Sequence, residues 1–158
     1  MIDIFKEVYE ENKDAVLMLI GTGELFDDIK FKVTSLGLQE NVIFTGPRKD
    51  IPDLLSSMDV FILPSYFEGL GIVLVEAQAS GLHCIASKDV IPNEAKVTNL
   101  LQYIPLTKNS KDWAQIVLKN RWKRKRSLNN QIINAGYEIA HVAKNLEQFY
   151  LNKCGKQI

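Results

Sequence analysis

Residues 60–87 read VFILPSYFEGLGIVLVEAQASGLHCIAS, and this stretch decides the fold. It opens with an uninterrupted apolar run from Val60 to Leu63, which is typical of a strand buried on both faces. A short loop with two glycines follows, and Ile72 to Ser80 then has the composition of a helix that ends at Gly81. His83 to Ser87 indicates the next strand. The stretch therefore predicts a strand, a glycine turn, a helix and a second strand.

The glycine turn has features of a site for a phosphorylated sugar. The first turn of a helix offers backbone N–H groups without a partner in the helix, and its dipole favours an anion. Two carboxylates flank the turn, Glu68 before it and Glu76 one turn into the helix. Carboxylates accept hydrogen bonds from hydroxyl groups, so a sugar or ribose beside the phosphate would suit both. Taken singly, Gly69, Gly71 and Glu68 are also typical of an ordinary surface loop.

Glu76 is harder to explain as an ordinary surface charge. The residues from Ile72 to Ala79 are apolar on nearly every side of the helix, which predicts that the helix is buried. A carboxylate in such a helix needs a partner or a ligand. We therefore expect Glu76 to bind a ligand.

The rest of the chain repeats the strand and helix pattern. Apolar strands are predicted at Ala15–Ile20 and Val42–Thr45, and each is followed by a helix with apolar residues at helical spacing. A last strand is predicted at Tyr103–Leu106, and helices over about residues 110–151. This alternation predicts one α/β domain over residues 1–158, with a parallel sheet that is covered by helices on both faces.

Composition narrows the class of protein. The 158 residues contain 19 basic and 19 acidic side chains, which gives no electrostatic reason to expect nucleic acid as a partner. No apolar run approaches the ~20 residues of a membrane span, and the first residues carry acids where a signal peptide carries bases. Two cysteines, Cys84 and Cys154, indicate neither a disulfide framework nor a metal cluster. We expect a cytoplasmic protein.

One concentrated basic run, Arg121 to Arg126, leaves two interpretations open. An anionic membrane surface would attract it, because each nearby Lys or Arg contributes about 1 kcal/mol. That interpretation would place the protein at the inner face of the membrane. A solvated helix end is the commoner explanation of such a run.

Four motifs occur in an order that is typical of one protein family. The stretch PSYFEGLGIVLVEAQASGL holds Glu68 and Glu76 with seven residues between them. The other three are LIGTGEL at 19–25, VIFTGPRKDIPDLLSSMD at 42–59 and IPNE at 91–94. Together they resemble the retaining GT-B glycosyltransferases of the family 4 type, also called glycosyl transferases group 1, and especially those that make bacterial capsule and exopolysaccharide. The resemblance covers about residues 2–118.

The resemblance implies a Rossmann-like domain, the C-terminal half of a GT-B fold, and it implies roles for particular residues. Glu68, the catalytic candidate, would accept hydrogen bonds from the donor sugar and orient it, and Glu76 would accept them from the ribose. The turn with Gly46 and Arg48 would lie near the base. Backbone N–H groups that would face the diphosphate belong to Gly69, Leu70, Gly71, Ile72 and Val73.

The resemblance also implies which ligands and cofactors to expect. It favours a UDP-sugar as the donor, although no residue pattern in the sequence itself indicates which base is bound. No cofactor would be bound permanently. The chain lacks the Asp-x-Asp motif that carries the metal in GT-A transferases, and we therefore expect a site without metal.

In the family, an N-terminal acceptor domain, a strand and a loop with a diphosphate-clamping arginine and lysine precede the helix with which this sequence opens. We therefore expect a sheet whose first strand is missing, and a separate acceptor domain or a partner chain that completes the site. In the usual doubly wound order 3-2-1-4-5-6 the first strand is central. Its absence would leave unpaired edges on the strands at 15–20 and 60–63. We expect these two strands to pair directly, or a partner chain to supply a strand.

Two functions remain open from the sequence. The first is the donor domain of a glycosyltransferase that transfers a sugar, with retention, to a polysaccharide or glycolipid acceptor. The second is a catalytically inactive module that binds a nucleotide and needs a separate acceptor domain for transfer. A nucleotide-sugar epimerase of similar fold fits less well, because such enzymes lack this glutamate spacing.

Overall fold

A computed structural model describes residues 1–119 and 129–154 of the chain. Helices and strands alternate along most of it, which confirms the predicted α/β class. The strands β3 and β4 have the predicted bounds, whereas β5 begins two residues before the predicted strand. The elements are α1 Ile2–Glu11, β1 Leu17–Ile20, α2 Phe26–Ser35, β2 Val42–Gly46, α3 Ile51–Ser57, β3 Val60–Leu63, α4 Ile72–Ala79, β4 His83–Ser87, a 3₁₀ turn Asn93–Ala95, β5 Leu101–Ile104, α5 Ser110–Lys119, α6 Asn129–Asn134 and α7 Ile139–Cys154.

The strands form two parallel groups. β1 pairs with β2, and in the second group β4 lies between β3 and β5. This is the Rossmann-like order, interrupted between β1 and β3. Within the described residues β1 and β3 do not approach each other as neighbouring strands do. The prediction that they pair directly is therefore wrong.

Two helices that pack against each other, α1 and α5, contribute to the cores of both groups of strands. Phe5 and Val8 of α1 are buried in a core that also contains Leu17 and Leu19 of β1. Ile4 of the same helix is buried instead with Trp113 of α5, against residues of β3 and β4. Because α1 contributes to the core of both groups, it fixes the position of one group relative to the other.

The middle strand β4 shows how deeply a strand with two neighbours is buried here. Its residues Cys84 to Ser87 are all buried. Burial raises the pKa of the Cys84 thiol to about 12, because the thiolate would lose its hydration, so this thiol stays protonated near neutral pH. Cys154, by contrast, is exposed.

Helix α4 packs on the three-stranded group through one face only. Glu76 is exposed, and Ile72 is 52% exposed. The prediction that this helix is buried on nearly all sides is therefore wrong. The helix covers the outside of a small sheet, so the face turned away from the sheet meets solvent whatever its composition. The buried residues are Leu74, Val75, Ala77 and Gln78.

Gln78 is the buried polar residue of α4. Its amide nitrogen donates to the carbonyl oxygens of Leu74 at 2.9 Å and Ala95 at 2.7 Å. Its carbonyl oxygen accepts hydrogen bonds at 3.0 Å from both the backbone N–H and the hydroxyl of Thr98. The side chain thus uses its full hydrogen-bonding capacity. It ties α4 to the segment that leads from the 3₁₀ turn into β5.

The C-terminal helices differ from the rest in their exposure. Helix α7 carries apolar residues at helical spacing, such as Val142, Leu146 and Phe149, but none of that helix is buried. Across the described residues, no helix is both long and apolar enough to cross a membrane. The basic run from Arg121 to Arg126 lies outside the described residues. The assignment of residues 1–158 to a single domain stays a prediction.

Replacing Gln78 by leucine is expected to destabilise the protein by about 2–4 kcal/mol. The substitution leaves the buried N–H and hydroxyl of Thr98 without the acceptor that Gln78 provides, and each such group costs about 1–3 kcal/mol. The free energy of unfolding measured in urea checks this. Gln115→Leu, at an exposed position of α5, is the control and should change stability by less than about 0.5 kcal/mol. Equal effects of the two substitutions would contradict the role of the Gln78 network.

Candidate functional site

The predicted site residues lie in α4 and on loops at the carboxyl ends of the strands, the edge at which parallel α/β sheets bind ligands. Glu68 and Gly69 belong to the loop between β3 and α4. The acidic segment at 91–94 follows β4 on the same edge of the three-stranded group. Gly46 and Arg48 lie at the carboxyl end of β2 in the other group.

The amino end of α4 carries no side-chain cap. Gly71 precedes the helix with φ +69°, in the left-handed region that favours glycine. A Cβ atom at this position would lie 3.4 Å from Cδ1 of Leu74, in van der Waals contact, so the backbone conformation and not the space favours glycine. The N–H of Leu74 donates a hydrogen bond to the carbonyl of Gly71 at 2.9 Å. The N–H groups of Ile72 and Val73 belong to the first turn of the helix, where backbone N–H groups have no acceptor within the helix. These amides and the helix dipole create a local preference for an anion.

The two carboxylates differ in how they are held. Glu68 is half-buried, and its Oε1 accepts a hydrogen bond of 2.9 Å from the hydroxyl of Ser65. Because Ser65 closely follows β3, this bond fixes Glu68 to the end of the strand. Glu76 lies on the exposed face of α4. A ligand at the amino end of α4 would therefore meet Glu68 on the preceding loop and Glu76 one turn into the helix.

The loop that follows β4 is held from two sides. The hydroxyl of Tyr103 donates to the carbonyl of Pro92 at 3.0 Å, and Gln78 binds the carbonyl of Ala95. Burial and the nearby carboxylate of Glu94 raise the pKa of Tyr103, so the hydroxyl keeps its proton and remains a donor. Glu94 itself is exposed. The acidic segment is thus in place before any ligand arrives.

A cavity of about 490 Å³ lies beside this loop, lined by residues 88–93 and Tyr103. Asp89 in its wall has φ +65°, a left-handed conformation that is uncommon outside glycine. Such conformations concentrate at ligand sites. Nothing in the sequence singled out Asp89, although aspartate is one of the few residues that tolerate this conformation.

Gly46 and Arg48 occupy the turn after β2. Gly46 has φ +65°, and the guanidinium of Arg48 forms an ion pair with Asp50, with Nε 2.8 Å from Oδ1. The hydrogen bonds of this pair raise the pKa of Arg48 and lower that of Asp50. Asp50 precedes α3 but makes no side-chain cap, because its carboxylate is bound to Arg48. The structure therefore shows Arg48 paired within its own turn.

A smaller apolar cavity of about 250 Å³ lies beneath the turn that follows β1. It is lined by residues 19–23 together with Leu25, Phe26, Ile29 and Phe44. The turn Gly21–Thr22–Gly23 is part of the motif LIGTGEL. The cavity adds a concave surface beside the loop that carries Gly46 and Arg48.

Two exposed aromatic side chains border the glycine loop. Tyr66 is 85% exposed and Phe67 is 90% exposed, and Leu70 next to them is 40% exposed. Sequence reasoning treated Tyr66 and Phe67 only as part of the motif. Adjacent aromatic residues in a turn were a signal that this surface is built for contact.

In residues 1–119 and 129–154, no three His, Cys, Asp or Glu side chains lie together in an arrangement that could hold a metal ion. The arrangement that is present instead consists of helix amides, carboxylates and ordered loops. Such groups bind an anion and hydroxyl groups side by side.

A family model described as glycosyl transferases group 1 matches residues 1–139. The UDP-Gal:alpha-D-GlcNAc-diphosphoundecaprenol alpha-1,3-galactosyltransferase of Escherichia coli is 41% identical over 85 residues, which are 52% of this chain and 22% of that protein. The matched part thus spans about a fifth of the length of this relative.

Two solved structures share the fold. The C-terminal domain of a glycosyl transferase group 1 family protein from Francisella tularensis matches 87% of this chain and 80% of that chain, with a TM-score of 0.61 and 24% identity. The pneumococcal O-GlcNAc transferase GtfA, in complex with UDP and GlcNAc, matches 94% of this chain and 31% of that chain, with a TM-score of 0.72 and 17% identity. These matches confirm the predicted fold of a GT-B C-terminal domain.

Alanine at Gly71 is expected to cost about 1–2 kcal/mol, because the side chain would be forced into the left-handed region against Leu74. Alanine at Gly69 should cost less than about 0.5 kcal/mol, because this glycine has no positive φ and open space around it. Urea unfolding of both variants checks the difference. Equal costs would contradict the described geometry of the glycine loop.

Proposed function

This chain belongs to the glycosyl transferases group 1 family, and we propose that it is the donor-binding part of a glycosyltransferase. It would bind a UDP-sugar and serve retaining transfer of the sugar to a polysaccharide or glycolipid acceptor. The observation that carries the proposal is the amino end of α4, which lacks a side-chain cap and lies between Glu68 and Glu76.

The diphosphate would bind at that helix end. The backbone N–H groups of the loop and first turn of α4 would donate to its oxygens, and only small residues let the backbone approach so closely. Two glycines in this loop are consistent with that need, since a Cβ atom at Gly69 would meet nothing within 4 Å of the protein itself. The residues that would contribute are Gly69, Leu70, Gly71, Ile72 and Val73.

The two carboxylates would bind the hydroxyl groups on either side of the diphosphate. Glu76, exposed on α4, would accept hydrogen bonds from the ribose. Glu68, fixed by Ser65, would accept them from the donor sugar and orient its reacting carbon. A carboxylate held in place before binding orients a substrate more effectively than a mobile one, because less conformational freedom is lost.

Transfer breaks the bond between the sugar and the diphosphate, and negative charge then develops on the leaving diphosphate. The amides and dipole of α4 are already oriented towards that charge and would stabilise it without reorganising. The loop at 91–94, held by Tyr103 and Gln78, would limit the access of water from the side of β4.

UDP as the carrier is supported by the relatives. The similar Escherichia coli enzyme is described as using UDP-Gal, and the pneumococcal transferase was solved with UDP. The turn with Gly46 and Arg48 would contact the base, with the guanidinium leaving Asp50 or binding beside it.

The alternative function is a nucleotide-binding module that is inactive until a separate acceptor domain or partner chain joins it. The comparisons do not favour this alternative, because the similar protein of Escherichia coli is named as a galactosyltransferase. From the sequence we also propose that the protein lies in the cytoplasm. The run Arg121–Arg126 would contact the inner face of the membrane.

Glu76→Ala is expected to weaken UDP binding by about 10-fold or more, because a hydrogen bond to a charged group contributes about 1.5–3 kcal/mol. The wild-type protein should bind UDP more tightly than 2′-deoxy-UDP, and the variant should lose this preference. Calorimetric titration of both proteins with both nucleotides checks the ribose assignment.

The control is Glu40→Ala, which removes an exposed carboxylate before β2, at the opposite edge of the sheet. It should leave both affinities unchanged. If the Glu76 variant still prefers UDP to the 2′-deoxy compound, the ribose assignment is wrong.

A further inference from the structure

The cavity of about 490 Å³ beside the loop after β4 contains none of the residues that we assign to the donor. Its walls are residues 88–93 and Tyr103. Tyr103 belongs to β5 and pairs with Ala86 of β4, so the cavity lies at the carboxyl ends of these two strands. Parallel sheets bind ligands at this edge, and cavities of about 300–1,000 Å³ are typical of sites for small molecules.

The cavity adjoins the amino end of α4. A Cβ atom at Gly71 would lie 3.8 Å from Cγ2 of Ile91, which is part of the cavity wall. The loop after β4 therefore contacts the start of the helix, where the diphosphate would bind. The turn with Gly46 and Arg48 belongs to the other group of strands. A ligand in the cavity would thus lie beside the donor, on the side of β4 and β5.

Three exposed polar side chains of the cavity wall are open to a ligand. The side chains of Lys88, Asp89 and Asn93 form no hydrogen bond or ion pair with any other residue in 1–119 or 129–154. Together they offer an ammonium donor, a carboxylate acceptor and an amide that both donates and accepts. Neighbouring hydroxyl groups of a sugar match this set, because each hydroxyl also donates and accepts.

Tyr103 supplies a wall of fixed orientation. Its hydroxyl donates to the carbonyl of Pro92 at 3.0 Å, and its ring packs against the core that contains Leu74 and Leu101. The side chain is only half-buried, so part of the ring borders the cavity. An aromatic ring beside polar groups suits a sugar, because a sugar ring has apolar C–H faces and a rim of hydroxyl groups.

The conformation of Asp89 is not explained by contacts within the protein. Its φ is +65°, in the left-handed region. Aspartate tolerates this region because its short side chain can form a hydrogen bond to the nearby backbone. The carboxylate of Asp89 forms no such bond within the described residues. Backbone conformations of this kind concentrate at ligand sites, where they orient a side chain towards the ligand.

The charges around the cavity balance. Lys88 and Asp89 line it. Two further charges adjoin Tyr103, because the carboxylate of Glu94 raises the pKa of this tyrosine and Nζ of Lys96 lies 6.0 Å from its ring centroid. Two positive and two negative groups give no net attraction for an anion. The cavity therefore favours a neutral ligand over a phosphate or a diphosphate.

We propose that this cavity binds a neutral sugar residue of the acceptor, an inference that rests on the proposed function because it takes the neighbouring end of α4 as the donor site. The hydroxyl groups would bond to Lys88, Asp89 and Asn93, and a C–H face would lie against Tyr103. The acceptor residue and the donor would then be held side by side, which favours transfer between them.

Amide ¹H–¹⁵N NMR of the 158-residue protein tests the proposal. The probes are the methyl α-glycosides of galactose, glucose, mannose and N-acetylglucosamine, added up to about 50 mM to detect millimolar dissociation constants. At least one should shift the amides of residues 88–93 and 101–104 in a saturable manner. Its affinity should change by less than about 2-fold when UDP is present at saturation, because the two ligands occupy different places.

Asp89→Gly removes the carboxylate and keeps the backbone, since glycine adopts a positive φ readily. The variant should bind the same glycoside about 10-fold more weakly, because a hydrogen bond to a charged group is lost. Its melting temperature should not fall, whereas a residue that serves only the fold would lower it. The control, Asp14→Gly, removes an exposed loop carboxylate before β1, at the amino ends of the strands, and should leave glycoside affinity unchanged.

The proposal is overturned if no glycoside causes saturable shifts, or if Asp89→Gly binds the glycoside as well as the wild-type protein does. Shifts confined to residues 65–73, or displacement of the glycoside by UDP, would place the sugar in the donor site and overturn it as well. Failure of the wild-type protein to bind UDP would contradict the proposed function instead. Because the glycoside is also titrated without nucleotide, the two failures are distinguishable.

Discussion

The structure depends on the packing of α1 against both groups of strands. Ile4 enters the core of the three-stranded group, and Phe5 and Val8 enter that of the two-stranded group. Burying a side chain of this size contributes about 1.5–3 kcal/mol, and here the contribution comes only if both groups keep their positions. The loops that carry Glu68 and Gly46 can act on one ligand only while this packing holds. The proposed donor site therefore depends on the core in which α1 packs against both groups of strands.

At the candidate site, uncharged residues hold the start of α4 and the loop after β4 in place. Gly71 sets the direction in which α4 begins, and Gln78 and Tyr103 hold the loop after β4 by hydrogen bonds to its carbonyls. These contacts are complete before a ligand binds, so the amides at the helix end need little rearrangement to meet a diphosphate. The hydroxyl of Ser65 donates a hydrogen bond to Glu68 and fixes this carboxylate, which suits a group that orients a sugar.

The sequence was most informative where structure and motif depend on neighbouring residues. The bounds of β3 and β4 follow from short apolar runs closed by turn residues, and the glycine turn follows from its spacing. The sequence failed where the answer depends on residues far apart in the chain. It placed Glu76 in a buried helix, because apolar composition does not reveal which face of α4 meets solvent. It also overlooked Gln78, because the fold brings the partners of this side chain, Ala95 and Thr98, from a distant part of the chain.

The central claim is that this chain by itself forms a site for a nucleoside diphosphate at the amino end of α4. Calorimetric titration of the 158-residue protein with UDP, and with GDP as the comparison, tests it most directly. We expect a single site that binds UDP at least about 10-fold more tightly than GDP, a difference of about 1.4 kcal/mol. No heat with either nucleotide would contradict the claim, and equal binding of the two would contradict the assignment of UDP.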